Sequence, residues 1–491
     1  MTFQGISLIL FLSLLTLPGH AQENALDHLK DELNANSLPL VNIVTESVVN
    51  NDSYVSGVIE ISDYLCRTNS KSRDVQFKCE IKYRGASAMK YDKKSFAVKL
   101  VDDVGNDLDA NVLGIREENS WILDAMAIDR IRMRNRICFD VWNSMSSTPY
   151  DTRYDNRNGT EGHFVELFIN GEYEGLYCLT DKVDRKLLGL KKADKSSSGR
   201  VIVKGLLYKC TKWSGASSYL TGYDTASFDT TEWNAWELQY PSDYASAITW
   251  QPLIDLIVFC SDETAFVQYC DQYLNYFYWD NLVDYFVFTS ALNVDDNFYK
   301  NTFLSTVDIT EEHRYLITPW DMDMSLGGNY DGAYNDNLAS LSRYNWRAPY
   351  NRLNVNNVDG FRNTIKERWT ELCTTILNPD SVFARLDAYA MQFVNSGAWY
   401  REYEKWNCNP VPLKESVSQE LEYVKRWYAD NYNNLCRAWG GTLYSLVPKY
   451  YDFNPERIIS LPDGRRMDVY RGEVLGKGLY LIIDGKKIYN R

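Results

Sequence analysis

Histidine is scarce in this sequence. Only His20, His28, His163 and His313 are present. That leaves few candidates for a Ser-His-Asp triad or a multi-histidine metal site. No C-x-x-C spacing occurs among the ten cysteines, so neither a zinc ribbon nor a thioredoxin-like motif is supported. Positive charge is not in excess either. The formal net charge is −14, whereas general nucleic-acid binding needs a basic face, so no nucleic-acid partner is expected. Beyond the N-terminus no apolar run is long enough to span a bilayer. The chemistry must then rest on carboxylates, amides, Lys and Arg. That ligand set suits a hard cation such as Mg²⁺ or Mn²⁺.

The one long apolar run is Ile6 to Leu17, followed by Pro18, Gly19, His20 and Ala21. An apolar stretch of this length before small residues predicts a secretory signal peptide over residues 1–21, although no Lys or Arg precedes it. An exported protein follows, in the periplasm, at the cell surface or secreted, with no transmembrane segment after cleavage. Export permits disulfides, and Cys66 with Cys79, or Cys260 with Cys270, are near enough in sequence to pair. Buried free thiols are the equal alternative. Residues 22–36 form a polar leader.

From Leu38 onward the pattern changes. Val55 to Ile61, Val75 to Tyr83 and Ser95 to Leu100 alternate as strands do, with Phe96, Val98 and Leu100 on one face. Ile128 to Met145 carries a helical apolar stripe. Asn170-Gly171 between two apolar runs predicts a hairpin, because both turn residues must take positive φ. After a charged loop at Lys191 to Gly199, helices are expected over 250–266, 279–292, 361–377, 381–393 and 413–436. A hairpin interrupts them near 301–320. Asp463-Gly464, Gly476-Lys477-Gly478 and Asp484-Gly485 punctuate a small β segment over 446–491. Its end resembles the C-terminal tails of exported Bacteroidetes proteins.

Four clusters could carry chemistry. Arg84-Gly85-Ala86-Ser87, with Lys93, Lys94 and Lys99 beyond it, offers a close backbone approach, a hydroxyl and cations for phosphate oxygens. Arg134 on the helix could meet phosphate or a carboxylate. Asp295-Asp296-Asn297 precedes Asn301, and Asp296 with Asn301 has the D-x-x-x-x-N spacing of protein-kinase catalytic loops. Asx turns would explain the same residues without chemistry. Lastly, Asp321 and Asp323 follow an apolar strand, and like charges so close call for a proton or a cation between them. The order is that of a kinase: a β-rich part, a helix, a hairpin leading to a hinge at Asp181 to Arg185, then a helical part bearing D-x-x-x-x-N and a metal-binding Asp.

The chain resembles the CotH family, the spore-coat protein kinases and their relatives. The resemblance is carried by Leu38-Pro39-Leu40-Val41, Arg84-Gly85-Ala86-Ser87, Lys93-Lys94-Ser95-Phe96, Met133-Arg134-Asn135, Asn170-Gly171-Glu172-Tyr173, Lys300-Asn301 and Trp320-Asp321-Met322-Asp323, in that order. It implies an α+β, atypical protein-kinase-like fold over about 37–445. The β-rich lobe would cover about 37–185 and the mainly helical lobe about 200–445. It also implies ATP with Mg²⁺ or Mn²⁺, and a protein Ser or Thr as phosphoacceptor. Asp296, or its neighbour Asp295, would be the catalytic-loop carboxylate. Asn301 and Asp321 would hold metal with Asp323 close by. Lys94 or Lys99, with Arg84, Ser87 and Arg134, would meet the nucleotide. Ala86 stands where the family has Asn, Met89 where a Trp is usual, and Asp181 where a Glu is usual. No Glu on the Ile128 to Met145 helix is placed to pair with a Lys. A pseudokinase acting as a surface binding protein is the alternative. A carbohydrate-active enzyme ranks third, since Asp321 and Asp323 do not obviously flank a sugar bond.

Overall fold

The computed structural model describes residues 18–446 and four short strands beyond them. The apolar run before Pro18 lies outside the described residues. Helix α1 (Pro18–Asp31) covers part of the expected polar leader. Leu26 and, just past the helix, Leu33 pack with Leu40 and Phe168, and Lys30 reaches Glu60 at 2.6 Å.

Seven strands then close into a barrel. They belong to the series β1 (Leu40–Thr45), β2 (Val55–Ser62), β3 (Asp74–Arg84), β4 (Ser95–Val101), β5 (Ala110–Asn111), β6 (Glu117–Glu118), β7 (Ser120–Asp124), β8 (Gly162–Ile169) and β9 (Glu172–Thr180). The order is β1-β2-β3-β4-β7-β9-β8, with β5 and β6 paired apart. β8 returns to lie parallel to β1, Leu40 opposite Glu166 through Ile43 opposite Ile169. Closure removes the exposed edges an open sheet would leave. The inner face carries Val41, Ile43, Ile59, Ile81, Val98, Leu100, Val165 and Leu179. The alternation expected for 95–100 holds: Phe96, Val98 and Leu100 are buried while Ala97 and Lys99 are half-exposed. Asn170 and Gly171 turn the β8–β9 hairpin with φ of 53° and 78°.

Helix α2 (Arg134–Met145) begins six residues later than its apolar stripe suggests. The Asp129 carboxylate accepts the amides of Met133 and Arg134, both at 2.7 Å, and Arg132 takes φ 55°. The preceding residues are therefore held as a turn.

Past the barrel, β10 (Asp194–Lys195) and β11 (Val201–Ile202) form a small ladder. β12 (Leu206–Cys210), β13 (Glu232–Trp233), β14 (Trp236–Tyr240), β15 (Thr302–Thr306) and β16 (Leu316–Pro319) build a second sheet in the order β13-β14-β12-β15-β16. The hairpin near 301–320 is β15–β16, whereas β12, β13 and β14 went unforeseen. Leu206, Leu207 and Tyr208 are all buried, so β12 shows no alternation to read. The helices that follow are α3 (Ala247–Cys260), α4 (Phe266–Gln272), α5 (Trp279–Leu292), which packs on β16, α6 (Tyr350–Asn356), α7 (Phe361–Leu372), α8 (Pro379–Asn395), α9 (Ala398–Trp406), which packs on β9 of the barrel, and α10 (Val417–Trp439). α5 is buried from Asn281 to its end, as befits a helix apolar on nearly every face.

Of the last segment, β17 (Ile458–Ser460) pairs with β18 (Arg466–Asp468), and β19 (Tyr480–Ile483) pairs with β20 (Lys486–Tyr489). Asp463-Gly464, Gly476-Lys477-Gly478 and Asp484-Gly485 lie outside the described residues. The whole is a mixed α+β structure. No helix among the described residues is long and apolar enough to cross a membrane. All ten cysteines are free thiols, so neither Cys66–Cys79 nor Cys260–Cys270 is bonded. Seven of the ten are buried, where they pack as small apolar groups.

Candidate active site

Two loop ends meet because of the β15–β16 register. Thr302 lies opposite Pro319, which sets Asn301, just before β15, beside Asp321, just after β16. Both take positive φ, 53° and 57°. Buried Asn297 clamps the two loops, donating to the Trp320 carbonyl at 2.9 Å and accepting its amide at 3.2 Å. The Asn301 side-chain amide donates to Asp296 Oδ2 at 2.9 Å and to Asp321 Oδ2 at 3.2 Å. Asp296, Asn301 and Asp321 are thus one cluster.

Asp296 is 4% exposed. Lys300 Nζ lies 3.0 Å from its Oδ2, while its Oδ1 has no partner. Burial pushes this carboxyl up to about 6, with Lys300 opposing and Asp321 and Asp295 adding to the rise. A carboxylate so poised suits proton acceptance near neutrality. Asp295 is placed differently: its carboxylate is engaged by Arg343. Asp323 is partly buried, and its pKa is driven well above the usual range by burial, then by Asp321, Asp124, Asp296 and Asp129. Asp124 ends β7. Asn135 on α2 bridges it to the aspartate loop, donating to Asp124 Oδ2 at 3.1 Å and accepting the Met322 amide at 3.1 Å.

Among the described residues, no three His, Cys, Asp or Glu side chains are arranged to hold an ion by themselves. The set on hand is two carboxylates, an amide and an orphaned Asp296 oxygen, under unbalanced negative charge. Mg²⁺ is commonly bound by one or two carboxylates, with substrate phosphates and water completing the shell. The donors fit that mode of binding.

Residues 81–435 match the family described as CotH kinase protein. The chain belongs to the CotH family. No curated relative matches it.

On the barrel side of this CotH-family site stand cations. Lys209 on β12 is lowered in pKa by burial, with Asp321 opposing and Arg84 adding to the fall, and its Nζ is 5.8 Å from the Trp320 ring. Arg84 ends β3, within electrostatic reach of Tyr54. The Tyr54 ring lies between Lys82 and Lys99, at 4.8 and 4.6 Å. Arg84, Lys82 and Lys99 thus share one face of β3 and β4 with Glu80, which lies opposite Lys99, and Arg84 is the cation within electrostatic reach of Lys209. Ser87 is exposed in the short turn Ser87–Lys90.

Two expected nucleotide residues are not in this constellation. Lys94 Nζ donates to the carbonyls of Met89 and Tyr91, so it ties its own loop. Arg134 is 2% exposed. Its guanidinium is held by Asp129 and donates to the Ser325 carbonyl at 3.0 Å, so it buttresses the aspartate loop from behind. Asp181, where the family usually has Glu, accepts from Arg116 at 2.7 Å and from the Glu161 amide at 2.8 Å. The same Arg116 binds Asp184 at 2.9 Å, which fixes the expected hinge segment.

A fully buried lysine–carboxylate pair does occur, with its acid on α9 rather than on α2. Lys93 Nζ meets Glu402 Oε1 of α9 at 2.7 Å with both side chains fully buried. Arg132 Nε meets the same oxygen at 2.7 Å, and Oε2 accepts the Leu176 amide at 2.8 Å. Sequence reasoning also missed Lys300, Lys209 and Asp124. Only Lys300 carried a signal, standing between Asp296 and Asn301.

Proposed function

We propose that this CotH-family chain is an exported, two-lobed, kinase-like phosphotransferase. It would pass the γ-phosphoryl group of ATP, with Mg²⁺ or Mn²⁺, to a Ser or Thr hydroxyl of a protein. The observation that carries this reading is the Asp296–Asn301–Asp321 cluster assembled by the β15–β16 register. Family membership supports the kinase class, and the N-terminal apolar run supports export.

In this reading Asn301 and Asp321, with Asp323 beside them, would hold the metal. The bound metal supplies charge neutralisation at the phosphate oxygens. Asp296 accepts the proton of the attacking hydroxyl as the oxygen–phosphorus bond forms and the bond to the departing diphosphate breaks. Lys300 keeps that carboxylate in place and offers positive charge next to it. Arg84 and Lys99 from the barrel, and Lys209 from β12 of the second sheet, offer positive charge for phosphate oxygens. Phosphoryl transfer asks mainly for positioning and charge neutralisation, which this set provides.

A binding protein without transfer activity is the second reading. Ala86 in the first loop and the inward-tied Lys94 favour it, because both weaken the phosphate-covering segment. Calorimetry of Mg²⁺–ATP and Mn²⁺–ATP separates the two. The transferase reading expects metal-dependent nucleotide binding that Asp321→Ala abolishes. No binding by the folded wild-type protein with either metal favours the second.

A further inference from the structure

Of the tryptophans among the described residues, only Trp213 and Trp346 are largely exposed, at 41% and 70%. Trp213 stands next to the Asp296 turn, and Trp346 lies in a segment tied to that turn through Arg347. Trp213 follows β12 and stacks on Tyr299, ring centroids 5.0 Å apart and planes 24° apart. Tyr299 is three residues from Asp296. Lys300, whose Nζ holds Asp296 at 3.0 Å, also lies 6.0 Å from the Trp213 ring. On the other side Tyr219 lies 5.8 Å from Tyr299, and its carbonyl accepts the Ala348 amide at 2.9 Å. Trp346 is two residues before Ala348. Arg347 between them donates to the Asn297 carbonyl at 2.8 Å.

We propose that this aromatic shelf receives the phosphoacceptor, a protein segment with an apolar side chain beside its Ser or Thr and an acidic residue nearby. The inference rests on the phosphotransferase reading and names the substrate class of that site. Three features support it. Large rigid aromatics left in water beside a reactive carboxylate are suited to anchoring a partner at low entropic cost. Lys300 joins the shelf to the proton acceptor, so a segment seated on Trp213 lies next to Asp296. Lys212, exposed beside Trp213, offers a cation that matches an acidic side chain and that a neutral sugar would not use.

The test combines Mn²⁺–ATP with a library of Ser and Thr peptides that fixes one flanking residue at a time, and with neutral oligosaccharides as a second acceptor class. Nucleotide affinity is measured in parallel. The wild-type protein should prefer apolar over glycyl neighbours by roughly tenfold in kcat/KM. Trp213→Ala and Trp346→Ala should erase the preference by raising the peptide KM, with kcat and Mn²⁺–ATP affinity unchanged. Trp213→Phe should keep most of it, and Lys212→Ala should remove the acidic preference alone. An unchanged peptide preference in Trp213→Ala overturns the proposal. So does transfer to oligosaccharides only, or no peptide transfer by a protein that binds Mn²⁺–ATP. Failure to bind nucleotide at all overturns the transferase reading and takes this inference with it.

Discussion

At the scale of single residues, burial decides which of several similar side chains is available for chemistry. Asp295 and Asp296 are neighbours, yet Arg343 engages the first while the second keeps an unpartnered oxygen inside the cluster. Asp296→Asn is therefore expected to slow phosphoryl transfer by roughly 10²–10⁴-fold, the usual contribution of a general base. Nucleotide affinity should stay within a few-fold. Steady-state kinetics beside calorimetry would check both. His163 shows the same logic in stability. Burial lowers its pKa to about 4, with Arg67 and Arg136 adding to the fall. The folded chain holds it neutral, while the unfolded chain protonates it below its ordinary pKa of 6.5. Its contribution is thus fully present above pH 6.5 and lost as pH falls toward 4, on the order of 3 kcal/mol in all. Denaturant unfolding of wild type and His163→Gln at pH 7 and pH 4.5 should show the difference narrowing at the lower pH.

At the scale of elements, legibility followed pattern and distance. Strands with one buried face were readable from alternation, and α5 from its length. The β8–β9 turn was readable because Asn-Gly has few other uses. The convergence of Asp296, Asn301 and Asp321 was half legible. The spacing suggested a unit, but the Thr302–Pro319 register that joins it is a property of the sheet. β12 was invisible because burial on both faces erases period two. Lys93 and Glu402 stand 309 residues apart, and no local signal links them. Their pair joins the barrel to α9, and Gly175 is shaped around it. A Cβ there would sit 2.5 Å from Glu402 Oε2, and φ is 120°. Removing one partner of a fully buried pair leaves an uncompensated charge. Glu402→Ala is expected to cost about 3–5 kcal/mol in unfolding free energy. The Lys93→Met, Glu402→Leu double variant should recover only part of it, because Arg132, which shares that carboxylate, keeps an uncompensated buried charge; denaturant melts of the single and double variants read the difference.

At the scale of the whole molecule, the described residues pack into two large cores and two smaller clusters without covalent staples. The ten thiols stand free, and burial pushes most of the buried ones well above the ordinary thiol range. High thiol pKa values slow oxidation. Thermal melts of freshly purified protein should therefore coincide, within about 1 °C, with and without a reducing agent. A clear drop under reduction would mean that a bridge forms in the native protein.

Barrel closure also has a consequence for the order of synthesis. β1 finds its parallel partner only when Glu166 to Ile169 have been made, so the first strand must wait more than a hundred residues with one side open. Lys93 waits longer, since its counterion lies in a helix near the far end of the chain. A ribosome stalled before Glu402 should hold a barrel that is still leaky at its Lys93 side, digestible by protease. The same nascent chain extended past α9 should become resistant in a single step.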